Sequence, residues 1–573
     1  MRESGDRKID FIKGEDKETT VIICKDESQP TVVVKENGVN ISGLTIKHVV
    51  TSLSTAESSP AALHLLHVTS CNIYDNILAN GGYGVWLYGS KNNTISSNLV
   101  SECNYGIMVK AANTEVGAFL DNQLIQNTVV DCVNGICLES DGNILKGNTM
   151  VDNDYNLRVG YHYKYYLWYY NDIDTSNSVN GKQIHYLIDE RNLEINPLSF
   201  PDIGFLALIN CENITVNGLT ITDEFHGLVV HNSSNLVISN NNLVNNFYGI
   251  EIQKSDNIKT CRNKISDSEG AGIFLQGAHS FSFLENNITD NWLGLRLWHC
   301  YNYNITGNQI KRNEYEGMEN LGTENITISY NVIEENGVGI RNKNSAEKLV
   351  ISNNEIISNG IAFDGYIRNS SITNNYIFSN GFGIKAGTNC IIAGNGIIQN
   401  SNAGILVQSF NRIENNNIVK NDMGIRINGY ENTVTNNVIQ QNQEGIHFLS
   451  TNKEDLVRDN LVYSNNFIKN TVQIETQIQF SADKSLGSNN WDNGEIGNYW
   501  SIYRGKDNDK DGIGDSALII NKNNQDNYPL MEPVETGAIP EFPSWTILPL
   551  VLTFTLFLVI IKRNISKHKN LQF

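Results

Sequence analysis

Residues 416–446 read NNIVKNDMGIRINGYENTVTNNVIQQNQEGI, and this segment contains the repeat from which the fold is predicted. It contains two Gly-Ile pairs, which begin at Gly424 and Gly445, and an Asn stands three residues before each pair. From Gly227 onward, Gly-aliphatic pairs recur at steps of 20 to 23 residues, with one double step of 44 in which Gly360 fills the missing place. The repeating glycines are Gly84, Gly106, Gly135, Gly227, Gly249, Gly272, Gly294, Gly317, Gly339, Gly383, Gly404, Gly424 and Gly445. A repeat of this length predicts a solenoid, which lengthens without needing a second core.

A second row of the form Asn-x-Ile runs in register with the glycines, as at Asn263, Asn308 and Asn331. One coil of about 22 residues accommodates three short strands and three turns, with alternate side chains pointing inward. Aliphatic residues then stack inside on the same position one coil away, at roughly 4.8 Å. Asn tolerates left-handed turn geometry and its amide bonds to the Asn above and below, while Gly permits a sharp entry into a strand. The pattern predicts an all-β fold, a right-handed parallel β-helix, because leucine-rich and helical repeats need spacings that are absent here.

Composition and charge limit the classes of partner and of cysteine chemistry that this chain can have. The formal net charge of -20 argues against nucleic acid as a partner, because a phosphate polyanion needs a basic face. The nine cysteines form no CxxC pair, and buried thiols are favoured over disulfides. Residues 1–13 lack the apolar core of a signal peptide, so we expect either that the true start lies upstream of Met1 or that the sequence is a fragment.

The repeat is interrupted between about residues 152 and 201, where seven aromatic residues cluster within residues 161–170. Two interpretations stay open: an aromatic lid over the coils, or a platform on which sugar rings stack. The expected organisation is N-terminal coils at 1–150, an aromatic insertion at 151–205, the main β-helix at 206–479, a cap at 480–535, a Pro-containing linker at 536–544, a transmembrane helix at 545–561 and a basic tail at 562–573.

The transmembrane prediction rests on about 17 apolar residues followed at once by Lys562 and Arg563. Positive charge next to a span marks its cytoplasmic side. The sequence therefore predicts a single-pass protein that displays its β-helix on the extracellular face and keeps its C-terminus in the cytoplasm.

A calcium site is predicted in the cap. Aspartates alternate before a glycine in residues 507–515, which is typical of a loop that offers hard oxygen ligands to Ca²⁺. The expected ligands are Asp507, Asp509, Asp511 and Asp515. Leu518 stands where an EF-hand has its Glu, so we expect one structural calcium loop; the alternative is a solvated acidic turn.

The strand that follows each Gly presents an outward row. Its members are Trp86, Glu251, Phe274, Arg296, Glu319, Arg341, Lys385, Arg426 and His447, and Trp298 lies in the next row. Phe274, Arg296, Trp298, Glu319 and Arg341 are the candidate ligand-binding residues, either as a groove for an extended sugar chain or as an ion ladder on a solvated face.

Carboxylates stand just before several of the Gly pairs. Asp290, Glu314 and Glu316 are candidates for hydrolysis by paired acids, and Asp290 and Glu316 with Arg296 as the base are the candidates for a lyase site. Any acidic β-helix offers such pairs, so the catalytic interpretation is the weaker one.

Most of residues 20–532 resembles the NosD-like right-handed β-helix family, also described as carbohydrate-binding and sugar-hydrolase (CASH) repeats. Residues 172–182 resemble the insertion of archaeal members, although Gln183 stands where a Pro is usual. Residues 497–515 and 526–531 resemble their C-terminal signature, although Ile502 stands where an Asp is common.

Pro540, Glu541 and Phe542 resemble the PEF-type sorting signal of archaeal surface proteins, which implies processing by a sortase-like enzyme. The family name also implies copper, but the 11 histidines are dispersed and the six methionines form no motif, so the residues do not support copper.

Four hypotheses for the function remain. The first is a cell-surface protein that binds or organises polysaccharide at the envelope. The second is a polysaccharide hydrolase or lyase on the same scaffold. The others are a structural spacer and a copper-binding accessory protein.

Overall fold

A computed structural model describes residues 11–26, 28–48, 60–112, 119–160, 169–343, 346–365, 367–450, 457–478 and 487–535. The described residues form strands and turns and contain no helix. They divide into unit one, from residues 1–350 and 358–367, and unit two, from residues 351–357 and 368–573. Each unit is a right-handed parallel β-helix, so the all-β, parallel β-helix part of the predicted fold class is confirmed.

Unit one begins with an N-terminal stack of three parallel sheets. Tyr83–Tyr88, Tyr105–Lys110 and Asn134–Glu139 carry Gly-aliphatic pairs, and we call their sheet the Gly sheet. Its other strands are Val32–Val34, Ala61–Leu66 and Tyr155–Val159. The second sheet contains Val21–Cys24, Thr45–His48, Ile77–Ala79, Leu99–Ser101, Thr128–Val130, Thr149–Val151 and Ser178–Val179. The third contains Phe11–Lys13, Asn40–Ser42, Asn72–Tyr74, Thr94–Ser96, Gln123–Ile125, Ile144–Lys146 and Asp172–Ile173.

A central stack completes unit one. Its Gly sheet contains Lys182–Ile188, Ile203–Ile209, His226–His231, Tyr248–Gln253, Ala271–Gln276, Leu293–Trp298, Glu316–Leu321, Val338–Lys343 and Ile361–Asp364. The second sheet contains Arg191–Ile195, Glu212–Asn217, Ser234–Ser239, Asp256–Cys261, His279–Leu284, Tyr301–Thr306 and Glu324–Ser329, and the strand Glu347–Ser352 follows in the chain. The third contains Thr220–Thr222, Asn242–Val244, Lys264–Ser266, Asn287–Thr289, Gln309–Lys311 and Val332–Glu334.

Unit two repeats the plan in shorter coils. Its Gly sheet contains Phe382–Lys385, Ala403–Val407, Met423–Ile427, Glu444–Ser450 and Val472–Ile478. The second sheet contains Ser371–Thr373, Ile391–Ala393, Arg412–Glu414, Thr433–Thr435 and Leu461–Tyr463. The third contains Glu355–Ile357, Tyr376–Phe378, Gly396–Ile398, Asn417–Val419, Val438–Gln440, Asn466–Ile468 and Tyr499–Trp500. An antiparallel pair, Leu518–Asn521 and Asn524–Asp526, lies in the cap.

Strands also occur inside the range expected for the aromatic insertion, 151–205. Tyr155–Val159 is a Gly-sheet strand, and Lys182–Ile188 pairs antiparallel with Ser178–Val179 before it starts the central stack. Coil structure therefore reaches further into this range than the repeat pattern predicts. Most of the aromatic cluster, residues 161–168, lies outside the described residues.

Stacked side chains explain why the repeat folds this way. In the strand Leu293–Trp298, Leu295 and Leu297 are buried inside, whereas Arg296 and Trp298 point outward. The predicted Asn ladder is present, since the Nδ2 atoms of Asn263, Asn286 and Asn308 each donate to the Oδ1 of the next Asn at 2.9–3.0 Å. A Cβ at Gly294 would lie 2.3 Å from the carbonyl oxygen of Gly317, so only glycine fits there.

The described residues include no helix that is long and apolar enough to span a membrane. The predicted transmembrane helix at 545–561, the sorting motif at Pro540, Glu541 and Phe542, and the basic tail at 562–573 lie outside the described residues.

Candidate functional site

An open groove follows the turns that connect the third sheet of the central stack to its Gly sheet. We call it the corner groove; its lining residues are Asp267, Ser268, Glu269, Asp290, Asn291, Trp292, Arg312 and Glu314. These residues come from three successive coils. The groove therefore runs along the solenoid axis, in the direction that an extended polymer would follow.

A single substitution in the repeat helps to explain the groove. Ser268 occupies a ladder position that is Asn in the neighbouring coils, at Asn246, Asn291 and Asn313. Its backbone N–H still donates to Oδ1 of Asn291, at 3.0 Å. The side chain is shorter than an amide, only 2% of the residue is exposed, and its hydroxyl has no hydrogen-bond partner among the described residues. The coil thus has less side-chain volume at this position, and the hydroxyl is buried without a partner.

Two exposed aromatic rings stand at this corner. Trp292 is 40% exposed and Tyr315 is 49% exposed, and their ring centroids lie 4.7 Å apart. They occupy adjacent coils, because the backbone N–H of Tyr315 donates to the carbonyl of Trp292 at 3.0 Å. Exposed aromatic faces beside hydrogen-bonding groups are the usual means of holding a sugar ring.

The charges of the groove are unbalanced. Arg312 makes a bidentate pair with Asp290, with Nε and Nη2 each 2.7 Å from a carboxylate oxygen, and this pair lowers the pKa of Asp290. Asp267, Glu269 and Glu314 add three carboxylates without adding a second cation to the lining. Glu269 lies beside the hydroxyl of Tyr155, whose pKa is raised first by burial and then by this carboxylate.

The outward face of the Gly sheet carries the other predicted residues. Arg296 Nε lies 3.0 Å from Glu319 Oε2, and Arg341 Nε lies 3.2 Å from Glu316 Oε1. Lys343 also pairs with Glu319. Glu316 and Glu319 are buried beneath these cations, and burial raises the pKa of Glu316.

An apolar cluster adjoins this ion ladder. Phe274, Leu293 and Ala271 are buried together, and Trp298 and Tyr248 pack against them. The guanidinium of Arg296 lies 5.9 Å from the ring centroid of Phe274 and 6.0 Å from that of Trp298. The structure thus brings Phe274, Arg296, Trp298, Glu319 and Arg341 to one face, with the charged members held in ion pairs.

The three candidate carboxylates that precede Gly pairs in the sequence lie in two different places in the structure. Asp290 has a positive φ of 60° in a turn, and with Glu314 it lines the corner groove. Glu316 is the first residue of a strand and joins the ion ladder on the sheet face. Sequence reasoning missed Trp292 and Tyr315; an aromatic residue just after a ladder Asn, where polar turn residues are usual, is the signal that marks Trp292.

A buried polar cluster joins the two stacks of unit one. Tyr155–Val159 is the last strand of the N-terminal Gly sheet, and side chains of the central stack bond to it. Glu224 accepts hydrogen bonds from Asn156 Nδ2 at 2.9 Å and from the backbone N–H of Leu157 at 3.4 Å. His226 Nε2 lies 3.1 Å from the carbonyl oxygen of Val159. Burial raises the pKa of Glu224 to about 8.

The acidic loop of the cap brings three of its four predicted ligands together. Carboxylate oxygens of Asp507, Asp509 and Asp511 lie within 4.8 Å of one another, and the charge of Asp511 raises the pKa of Asp509. Asp515 instead accepts a hydrogen bond from the backbone N–H of Asn508 at 3.0 Å. Hard oxygen donors of this kind suit Ca²⁺.

Comparisons with known proteins agree with a β-helix of this type. A family model described as periplasmic copper-binding protein (NosD) matches residues 4–190 and 368–505, and one described as right handed beta helix region matches residues 205–356. The NosD matches cover more than half of the chain, and the chain therefore belongs to the NosD family. No curated protein is a significant match.

Several solved structures are similar at low identity. The mannuronan C-5 epimerase AlgE6 A-module of Azotobacter vinelandii is 12% identical, over 75% of this chain and 89% of that one, with a TM-score of 0.29. The periplasmic alginate epimerase AlgG is 10% identical, over 73% and 77%, with a TM-score of 0.23. PfbA, a surface adhesin of Streptococcus pneumoniae, is 12% identical, over 72% and 88%, with a TM-score of 0.22.

The family description implies copper, and the residues can be tested against it. Among the described residues, the group of three or more His, Cys, Asp or Glu side chains with mutually close ligand atoms consists of Asp507, Asp509 and Asp511. Copper sites are built from imidazole, thiolate and thioether ligands, so this all-carboxylate set does not fit copper.

Proposed function

We propose that this protein binds or organises polysaccharide at the cell envelope, and that the corner groove holds the sugar chain. The exposed pair Trp292 and Tyr315, set beside a groove of carboxylates, is the observation that carries the proposal. A sugar ring would lie against an aromatic face while its hydroxyls donate to the carboxylate oxygens.

Binding is favoured over hydrolysis because two of the three candidate acids are already engaged. Asp290 is held by Arg312, and Glu316 by Arg341. A general acid or base must reach the proton that it transfers, and these pairs would have to break first. Arg296 is likewise paired, with Glu319.

A retention and release assay tests this function. The full chain is passed over a panel of immobilised polysaccharides, and released reducing and unsaturated ends are measured in the same samples. The proposal predicts retention that Trp292→Ala weakens. Tyr330→Ala is the matched control, because Tyr330 is 65% exposed in a turn after a second-sheet strand. Released ends would make the protein an enzyme, and absence of retention would favour a spacer.

The location is proposed from the sequence together with the family description as periplasmic. Residues 545–561 would anchor the protein in the membrane, with the β-helix outside and residues 562–573 inside. A sortase-like enzyme would act at Pro540, Glu541 and Phe542 and remove the helix. The intact mass of the mature protein distinguishes retention of the helix from cleavage.

A further inference from the structure

Resting on the proposed function, we infer that the corner groove selects uncharged glycan chains and rejects polyuronates. The lining contains four carboxylates and one guanidinium, which is an excess of three negative charges. The guanidinium of Arg312 is taken up by both oxygens of Asp290. The groove therefore offers no unengaged cation to a sugar carboxylate among its described lining residues.

The charged residues next to the groove do not reverse its net negative charge. Arg312 lies close to Glu334 and Glu335 as well as to Asp290, and Glu334 in turn pairs with Lys311 at 3.1 Å. A polyuronate carries one negative charge on every ring, so each ring placed in the groove would meet carboxylates of like charge. Such repulsion acts over several ångströms and weakens as salt is added.

The same groups suit a neutral sugar. Carboxylate oxygens only accept hydrogen bonds, and sugar hydroxyls can donate to them. Ser268 lines the groove, but its hydroxyl oxygen is buried, so the accepting groups that a sugar reaches are the carboxylates. The aromatic pair supplies apolar faces for the C–H surface of a ring. Together these groups match a hydroxyl-rich, uncharged chain.

Matched oligosaccharides test this inference. The full chain is titrated with β-1,4-linked hexasaccharides of glucose, mannose and galactose, each beside the hexauronate of the same sugar, at low and high salt. We expect at least one neutral hexamer to bind at least ten-fold more tightly than its hexauronate at low salt. The ratio should shrink at high salt, because screening removes the repulsion.

Charge-neutral variants identify the residues responsible. The double variant Glu269→Gln with Glu314→Gln should reduce the discrimination by raising the affinity for the hexauronate. The double variant Glu285→Gln with Glu324→Gln changes the net charge equally at exposed positions away from the groove and should leave the ratio unchanged.

The outcomes separate this inference from the proposed function. A hexauronate that binds as tightly as its neutral partner overturns the charge selection and leaves carbohydrate binding standing. Discrimination that persists in the groove variant also overturns the inference, because other residues would then be responsible. If none of the sugars and none of the panel polysaccharides binds, both the inference and the proposed function fail.

Discussion

His226 Nδ1 lies 2.6 Å from Glu251 Oε2, and both side chains are buried within unit one. The other nitrogen of His226 faces the carbonyl oxygen of Val159, which only accepts, so Nε2 carries a proton. Glu251 also accepts hydrogen bonds from the hydroxyl of Tyr169, at 3.0 Å, and from Gln253. Side chains of the central stack thus meet Tyr169 and the backbone carbonyl of Val159 in one hydrogen-bonded network.

Removing one member of this network should lower the stability of the folded protein. Glu251→Ala leaves the imidazole of His226 and the hydroxyl of Tyr169 without this partner in a buried place, so we expect the free energy of unfolding to fall by about 3–5 kcal/mol. Urea denaturation of the full chain measures it. Glu212→Ala is the control, because Glu212 forms an exposed pair with Arg191 and its loss should cost less than about 1 kcal/mol. Equal effects of the two substitutions would contradict a structural role for the network.

The raised pKa of Glu224 predicts that the stability of the fold depends on pH. Its folded pKa is raised from the ordinary value of 4.5 to about 8 by burial, so its contribution to stability is present below pH 4.5 and lost as the pH rises through about 8. Compared with Glu224→Gln, the wild type should lose roughly 1.4 kcal/mol of stability per pH unit within this window. Denaturation of both proteins between pH 5 and pH 9 measures the difference. Parallel pH profiles would show that Glu224 does not titrate in this way.

Asp526 ends one of the Asn ladders of unit two. Its Oδ2 accepts from the backbone N–H of Asn498 at 2.8 Å and from the indole N–H of Trp500 at 2.7 Å. Asp526→Ala should destabilise the cap by about 3 kcal/mol, because two buried donors lose their acceptor. Amide hydrogen exchange of residues 487–535 measures this. Asp492→Ala, which removes an exposed acceptor of Asn527, should have a much smaller effect, and equal exchange in both variants would contradict the assignment.

The acidic loop should respond to calcium. If Ca²⁺ binds the folded loop through Asp507, Asp509 and Asp511, excess Ca²⁺ must raise the Tm relative to a chelator. Asp507→Asn combined with Asp511→Asn should abolish the shift, whereas Asp492→Asn, outside the loop, should retain it. A wild-type Tm that does not change between Ca²⁺ and chelator would leave a solvated acidic turn.

The repeat predicts most of the fold, because its period, its inward aliphatic residues and its Asn turns are all typical of the same β-helix coil. The ladder from Asn263 to Asn331 and the outward direction of Arg296 follow from that period. The start of the central stack does not follow from it. The strand Lys182–Ile188 forms through an antiparallel turn that breaks the coil pattern.

The site could be predicted only in part, because some of its residues are buried by contacts with residues far away in the chain. Glu251 is in the predicted outward row, yet it is fully buried, because Tyr169 bonds to it from 82 residues away in the chain. The corner groove could not be predicted from the sequence either, because the repeat predicts turns there without giving the direction of their side chains. Trp292 and Tyr315 become a pair only when the coils stack.

The most direct test of carbohydrate binding is a calorimetric titration of the full chain with a polysaccharide that it retains. Wild type, Trp292→Ala, Tyr315→Ala and the control Tyr330→Ala are compared under the same conditions. We expect each substitution at the corner groove to weaken binding by about ten-fold or more, through a loss of roughly 1.4–3 kcal/mol, and the control to bind like wild type. Unchanged affinity in both corner-groove variants would contradict the claim that this groove binds the glycan.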